Sequence, residues 1–164
     1  MIDADVKAAA TRVLDLCRAR RLTVATAESC TGGLVAGALT EIPGSSDVVC
    51  CGFVTYSNEA KRDMIGVPAA TLAAHGAVSR ETAEAMARGS REKSGAHLAV
   101  AITGVAGPGG GSAAKPVGLV HFAAASADGA LVAREKRFGD IGRSEVRRLS
   151  VLEALALLEQ LASR

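Results

Sequence analysis

Tryptophan is absent from this chain of 164 residues, tyrosine occurs once, at position 56, and phenylalanine only at 53, 122 and 138. A core built on aromatic rings is therefore excluded. The interior must come from Ala, Val, Leu and Ile, and a hydrophobic content of 49% is enough for one core in a single domain spanning 1–164. A large charge of either sign is also missing. The net charge of +2 is too small for the concentrated basic footprint of a nucleic-acid binder. No apolar run approaches the roughly 18 residues of a membrane span. Met1-Ile2-Asp3-Ala4-Asp5 lacks the basic-then-apolar order of a secretory signal. Cys17, Cys30, Cys50 and Cys51 make no CxxC pair, and the vicinal pair suits a disulfide poorly, so they read as reduced thiols of a cytoplasmic protein. The three histidines are far apart with no HxxxH spacing, and no metal site is expected.

What is present alternates between helical and extended patterns. Asp3 can cap a first helix in which Val6, Ala10, Val13, Leu14 and Cys17 share a face, closed by basic residues at 18–21. A strand at 22–27 hands over to a helix at about 31–42, with Leu34, Val35, Ala38, Leu39 and Ile42 on one side. Pro43 to Ser46 reads as a turn and 48–56 as a long strand. Short helices are expected at 58–65 and 68–75, and a longer one at 80–94 capped by Ser79. A strand at 97–103 runs into a glycine-rich loop, 104–111. Two further strands, 117–126 and 131–138, meet at Asp128-Gly129, and a last helix starts near Gly142. Early alternation and a late antiparallel hairpin predict an α/β/α sandwich with a mixed sheet, without the repeated βαβ of a pure dinucleotide-binding domain.

Four segments could carry chemistry. In Ala27-Glu28-Ser29-Cys30-Thr31-Gly32-Gly33 the serine sits at a strand-to-helix turn, where unpaired amides and the helix dipole can hold an oxyanion. It reads equally as an N-cap. The flanks Ala27 and Thr31 break the GxSxG nucleophile elbow, and none of His75, His97 or His121 stands in an obvious catalytic loop. The second segment, Tyr56-Ser57-Asn58-Glu59-Ala60-Lys61, follows a strand. Lys61 is one of five lysines, and it becomes a useful base only if its surroundings lower its pKa. Among Glu59, Arg62 and Asp63 it reads equally as a solvated surface lysine.

The third segment, Thr103-Gly104 to Ser112, then Lys115-Pro116-Val117-Gly118, lacks both the Walker and the dinucleotide glycine patterns. It can present bare amides to an anion or close over a ligand, or it is simply a flexible loop. In the fourth, Arg143 and Arg147 share a face at a helix start, where positive charge is unfavourable unless an anion answers it. A phosphate or the neighbouring Asp140 and Glu145 would do so.

Together these segments, with Gly76-Ala77-Val78-Ser79, resemble the C-terminal domain family of the competence-damage-inducible protein CinA over nearly the whole chain. Its best-understood members are nicotinamide-nucleotide amidases. The resemblance implies hydrolysis of the carboxamide of nicotinamide mononucleotide to nicotinic acid mononucleotide and ammonia, within pyridine nucleotide recycling and with no cofactor. Joined to the reading of the residues, it gives one mechanism. Ser29 is the nucleophile and Lys61 the general base. Amides at the start of the second helix, from Cys30, Thr31, Gly32 and Gly33, hold the oxyanion. Tyr56 orients the lysine or stacks on the pyridine ring. Thr103, Gly104, Gly107, Gly109 and Gly110 line the substrate, and Arg143 or Arg147 holds its phosphate. A small-molecule nucleotide is the expected partner, with a homo-oligomeric assembly and neither nucleic acid nor membrane. With no room for the N-terminal domain that some members carry, a stand-alone form is expected. The alternatives are a nucleotide-sensing module of the same fold and an enzyme using the Cys30 thiol.

Overall fold

The computed structural model describes residues 2–164. In chain order the elements are α1 (Ala4–Arg20), β1 (Val24–Glu28), α2 (Leu34–Thr40), β2 (Val49–Val54), α3 (Asn58–Ile65), α4 (Ala69–His75), α5 (Arg80–Ser94), β3 (Leu98–Gly104), β4 (Leu119–Ser126), β5 (Leu131–Arg137) and α6 (Arg143–Ala162). The strands form one sheet in the order β2-β1-β3-β4-β5. β1 is parallel to both β2 and β3, whereas β4 and β5 run antiparallel. The mixed α/β sandwich read from the sequence is the observed one.

Alternation along the strands divides the interior into two layers. Val24 of β1, Leu98, Val100 and Ile102 of β3, and Val120, Phe122 and Ala124 of β4 face α1, α2 and α6. Ala27, Ala101, Ala123 and Ala125 face the other way, towards α3 and α5. The second face is lined with methyl groups because the chain has almost no aromatic side chains to offer. α5 therefore sits close, seating Met86 fully buried, worth roughly 1.5–3 kcal/mol. Gly89 continues this closeness outward. A Cβ there would lie 1.8 Å from the Ile65 carbonyl oxygen, so only glycine lets α5 meet the end of α3. That contact fixes the helix that carries Lys61.

The first helix is capped as expected, with the Asp3 carboxylate accepting from the Val6 amide at 3.0 Å. Ser57 and Ser79 cap α3 and α5 in the same manner. The boundaries depart from expectation mainly around the serine segment. The second helix starts at Leu34 rather than Thr31, because Gly32 and Gly33 take φ of +60° and +98°, outside helical geometry. β1 runs one residue past Ala27 to end on Glu28, and β2 stops at Val54, with the Thr55 amide still donating to the Glu28 carbonyl at 2.9 Å.

Candidate active site

The carboxyl ends of β1, β2 and β3 lie side by side, and the chain leaves β1 towards β2 but returns to β3 on its other flank. Such a switch point opens a crevice above the strand ends. A cavity of about 280 Å³ occupies it. Ser29 and Cys30 form one wall, with Lys61 beneath and Tyr56 at the rim. Thr103, Gly104, Gly107, Gly109 and Gly110 form the other, and Arg143 reaches across the mouth. Val105 and Ala106, with Ala77 and Val78, to which the sequence reading gave no role, complete the lining. Thr103 holds that segment in place, its hydroxyl donating to the Ala77 carbonyl at 2.6 Å.

Ser29 is 9% exposed, and its amide donates to the Ile102 carbonyl at 3.0 Å, which ties the turn to β3. Lys61 comes from α3, where it and Ile65, one turn apart, are the two buried side chains. Lys61 is 1% exposed. Its Nζ lies 3.1 Å from Ser29 Oγ and donates to the Thr55 carbonyl at 2.8 Å. No carboxylate forms an ion pair with it among the described residues. Burial without a counter-charge lowers its pKa below the usual lysine value. A neutral amine fits these contacts, giving a hydrogen to Thr55 and receiving one from the serine hydroxyl. The solvated-lysine alternative is excluded.

The carboxylate of Glu28, one residue before Ser29, is fully buried and engaged elsewhere. It accepts from the amides of Gly33, Val35 and Ala36 at 3.1, 3.0 and 2.9 Å. Three of the early amides of α2 are thus consumed by a side chain that the sequence reading passed over. The Gly32 amide donates to the Ser29 carbonyl at 3.0 Å, and that of Leu34 to Thr31 at 3.2 Å. The expectation that the helix start receives an oxyanion is corrected accordingly. Gly32 and Gly33 have no amide to offer, and among the described residues only the amides of Cys30 and Thr31 remain unpaired beside the serine. An acidic residue closing an apolar strand just before Gly-Gly was the available signal.

The two arginines diverge. Arg143 donates to the Gly107 carbonyl at 2.9 Å and to the Tyr56 hydroxyl at 3.1 Å, bridging the rim. The Tyr56 hydroxyl is therefore bonded to an arginine, and it makes no hydrogen bond to Lys61 among the described residues. Arg147 lies behind the serine turn and does not line the cavity, nor do Thr31, Gly32 and Gly33. Neither arginine pairs with Asp140 or Glu145; Glu145 bonds to Arg148 at 3.2 Å.

Cys30 makes a poor nucleophile. Burial is the main cause that pushes its thiol up to about 12, so almost no thiolate exists near neutral pH. None of the three histidines lines the cavity. Among the described residues no three His, Cys, Asp or Glu side chains gather as metal ligands, and no helix is long and apolar enough to cross a membrane.

Comparison with known proteins is consistent along the chain. The family model of the CinA C-terminal domain matches residues 6–162. A CinA-like protein of Synechococcus sp. (strain RCC307) is 53% identical over 156 residues, 94% of this chain and 37% of that protein. One from Geobacter sulfurreducens is 48% identical over 150 residues, 92% and 36% respectively. The chain thus spans little more than a third of the length of these curated relatives. Among solved structures, the competence/damage inducible protein CihA from Agrobacterium tumefaciens superposes with a TM-score of 0.97 at 54% identity, covering 100% of this chain and 99% of that one. A CinA superfamily protein from Klebsiella pneumoniae gives 0.91 at 37% identity, covering 96% and 98%.

Proposed function

This chain belongs to the CinA C-terminal domain family, and from that premise we propose that it hydrolyses the carboxamide of nicotinamide mononucleotide, releasing nicotinic acid mononucleotide and ammonia. The observation that carries the reading is the Lys61–Ser29 pair, a buried amine 3.1 Å from a serine hydroxyl with no carboxylate bound to it. In the first half-reaction Ser29 Oγ attacks the amide carbon and its proton passes to Lys61 Nζ. The carbonyl oxygen becomes an oxyanion facing the amide of Cys30, the one unpaired amide of the turn whose residue lines the cavity. As the carbon–nitrogen bond breaks, Lys61 gives its proton to the nitrogen, which leaves as ammonia. In the second half a water molecule loses a proton to Lys61, attacks the ester and frees the carboxylate, regenerating the serine.

Tyr56 offers a ring face to the pyridine. Arg143 and the amides of Gly107, Gly109 and Gly110, unpaired among the described residues, offer donors to the phosphate. Pyridine nucleotide recycling in the cytoplasm by a homo-oligomer, without a metal, completes the proposal.

The test is ammonia release from nicotinamide mononucleotide by purified protein, with Ser29→Ala as control. Ammonia and nicotinic acid mononucleotide should appear in equal amounts. The rate should survive exhaustive EDTA, since serine and lysine supply nucleophile and base between them. It should fall by roughly 10⁴–10⁶-fold in the folded Ser29→Ala protein. Tight binding of the nucleotide without turnover would instead identify a sensing module.

A further inference from the structure

Arg147 follows Arg143 by one turn of α6 but serves another part of the site. Its Nε donates to the Cys30 carbonyl at 3.1 Å and its Nη2 to the Thr31 carbonyl at 3.0 Å. No carboxylate pairs with it among the described residues. A guanidinium whose rigid planar fork spans two successive main-chain carbonyls holds a backbone shape more firmly than the freely rotating ammonium of a lysine.

The consequence follows from peptide geometry. In a trans peptide unit the carbonyl and the next amide lie in one plane and point in opposite directions. Turning the Cys30 carbonyl towards Arg147 therefore turns the Thr31 amide away from it. Turning the Thr31 carbonyl the same way aims the Gly32 amide to the opposite side, where it donates to the Ser29 carbonyl. That bond fixes the Ser29 carbonyl and, by the same rule, the Cys30 amide. The two amides oriented in this way are the unpaired ones beside the nucleophile. The grip is also close, since a Cβ on Gly32 would lie 3.4 Å from Arg147 Nη2. Its charge reaches the turn as well. At Cys30 burial dominates, and Arg147 is among the groups that oppose it.

We propose that Arg147 is a positioning residue that, through the Thr31 carbonyl and the Gly32–Ser29 bond, sets the Cys30 amide for the oxyanion formed at Ser29, and that it does not hold the substrate's phosphate. This rests on Ser29 being the nucleophile, so the test must not depend on knowing the substrate. A small alkyl fluorophosphonate serves. Ser29 Oγ bonds to phosphorus, fluoride leaves, the serine proton passes to Lys61, and the P=O oxygen seeks the same amide.

Labelling rates are measured for the wild type, Arg147→Lys and Arg147→Ala, beside Tm and the kinetic constants on nicotinamide mononucleotide. Arg147→Lys should label Ser29 about 10- to 100-fold more slowly, with kcat lowered by a similar factor and KM unchanged. Added methylguanidinium should restore part of the Arg147→Ala rate. A merely structural role would lower Tm and leave the labelling rate of the folded fraction alone. Equal labelling in wild type and Arg147→Lys, or a raised KM at constant kcat, would overturn the inference while leaving Ser29 in place. A wild type whose Ser29 is not labelled would remove the nucleophile reading and this inference with it.

Discussion

At the end of β1 the carbonyls of Ser29, Cys30 and Thr31 each receive a donor, and the Glu28 carboxylate collects three more amides. Across the cavity, at the end of β3, the amides of Gly107, Gly109 and Gly110 have no partner among the described residues, while the Val105 carbonyl is held by the Gly118 amide and that of Gly107 by Arg143. Both segments are rich in glycine and both line one crevice. The first uses glycine to bend sharply inside a network that leaves two amides free. The second uses it to keep donors bare. A turn held on all sides suits a reacting atom that must be within tenths of an ångström of its base. A loop with open donors suits the recognition of a group whose oxygens replace water. Under the proposed function, the difference assigns the serine turn to the chemistry and the glycine loop to binding.

The largest test of that division is Lys61→Met, which keeps the stem and removes the base. Turnover should fall by roughly 10³-fold or more, while stability changes by less than about 2 kcal/mol, because the cost of burying the amine goes with it. The wild-type rate should rise with pH as the lysine, its pKa lowered by burial, loses its proton. Stability carries the same signature. Between the lowered pKa and 10.5 the unfolded chain binds the proton and the folded chain does not, so stability rises with pH across that window. Below the window both states are protonated and the burial cost is constant. Lys61→Met should abolish both slopes, and an unchanged pH–rate profile would place the base elsewhere.

Glu28→Gln tests the serine turn by its stability. One side-chain oxygen is replaced by an NH₂ facing main-chain donors, and a loss of about 2–4 kcal/mol is expected in urea unfolding. A neutral result would mean that the carboxylate is not what holds the turn. On the binding side, Arg143→Ala should lower kcat/KM on the mononucleotide by about 10- to 100-fold, the worth of one charge-assisted phosphate contact. The penalty should shrink on the unphosphorylated riboside, and equal losses on both would remove the phosphate from this arginine. Gly109→Ala should do least. A methyl there meets nothing within 4 Å and its φ is not positive, so Tm should not move. KM should still rise a few-fold, because the methyl enters the cavity wall. A lowered Tm would show that the loop is as tightly built as the serine turn.

Much of this organisation was legible in the chain. Local patterns located the five strands and the six α-helices, and Ser79 and Asp3 marked two helix starts, because these signals are local. The site was legible in part. Ser29 and the glycine loop stood out because turns and bare amides have their own composition. Lys61 was named as the base only once the resemblance joined the residue reading, because its neighbours Glu59, Arg62 and Asp63 are all exposed and mask a short helix in which only the Lys61–Ile65 stripe points inward. Arg143 and Arg147 were indistinguishable on a helical wheel. Their separation depends on what stands opposite each, the glycine loop for one and the serine turn for the other.

By itself, the sequence determined the element order, a core built from aliphatic side chains, and the serine turn as a candidate place for chemistry. Each of these follows from composition or from spacing along a few consecutive residues. Tertiary structure alone decided that a lysine 32 positions from the serine is its partner, that Glu28 takes the helix amides, and that one arginine faces the cavity while the other braces the turn. These outcomes rest on burial and on hydrogen bonds between segments far apart in the chain, fixed by how the sheet orders its strands.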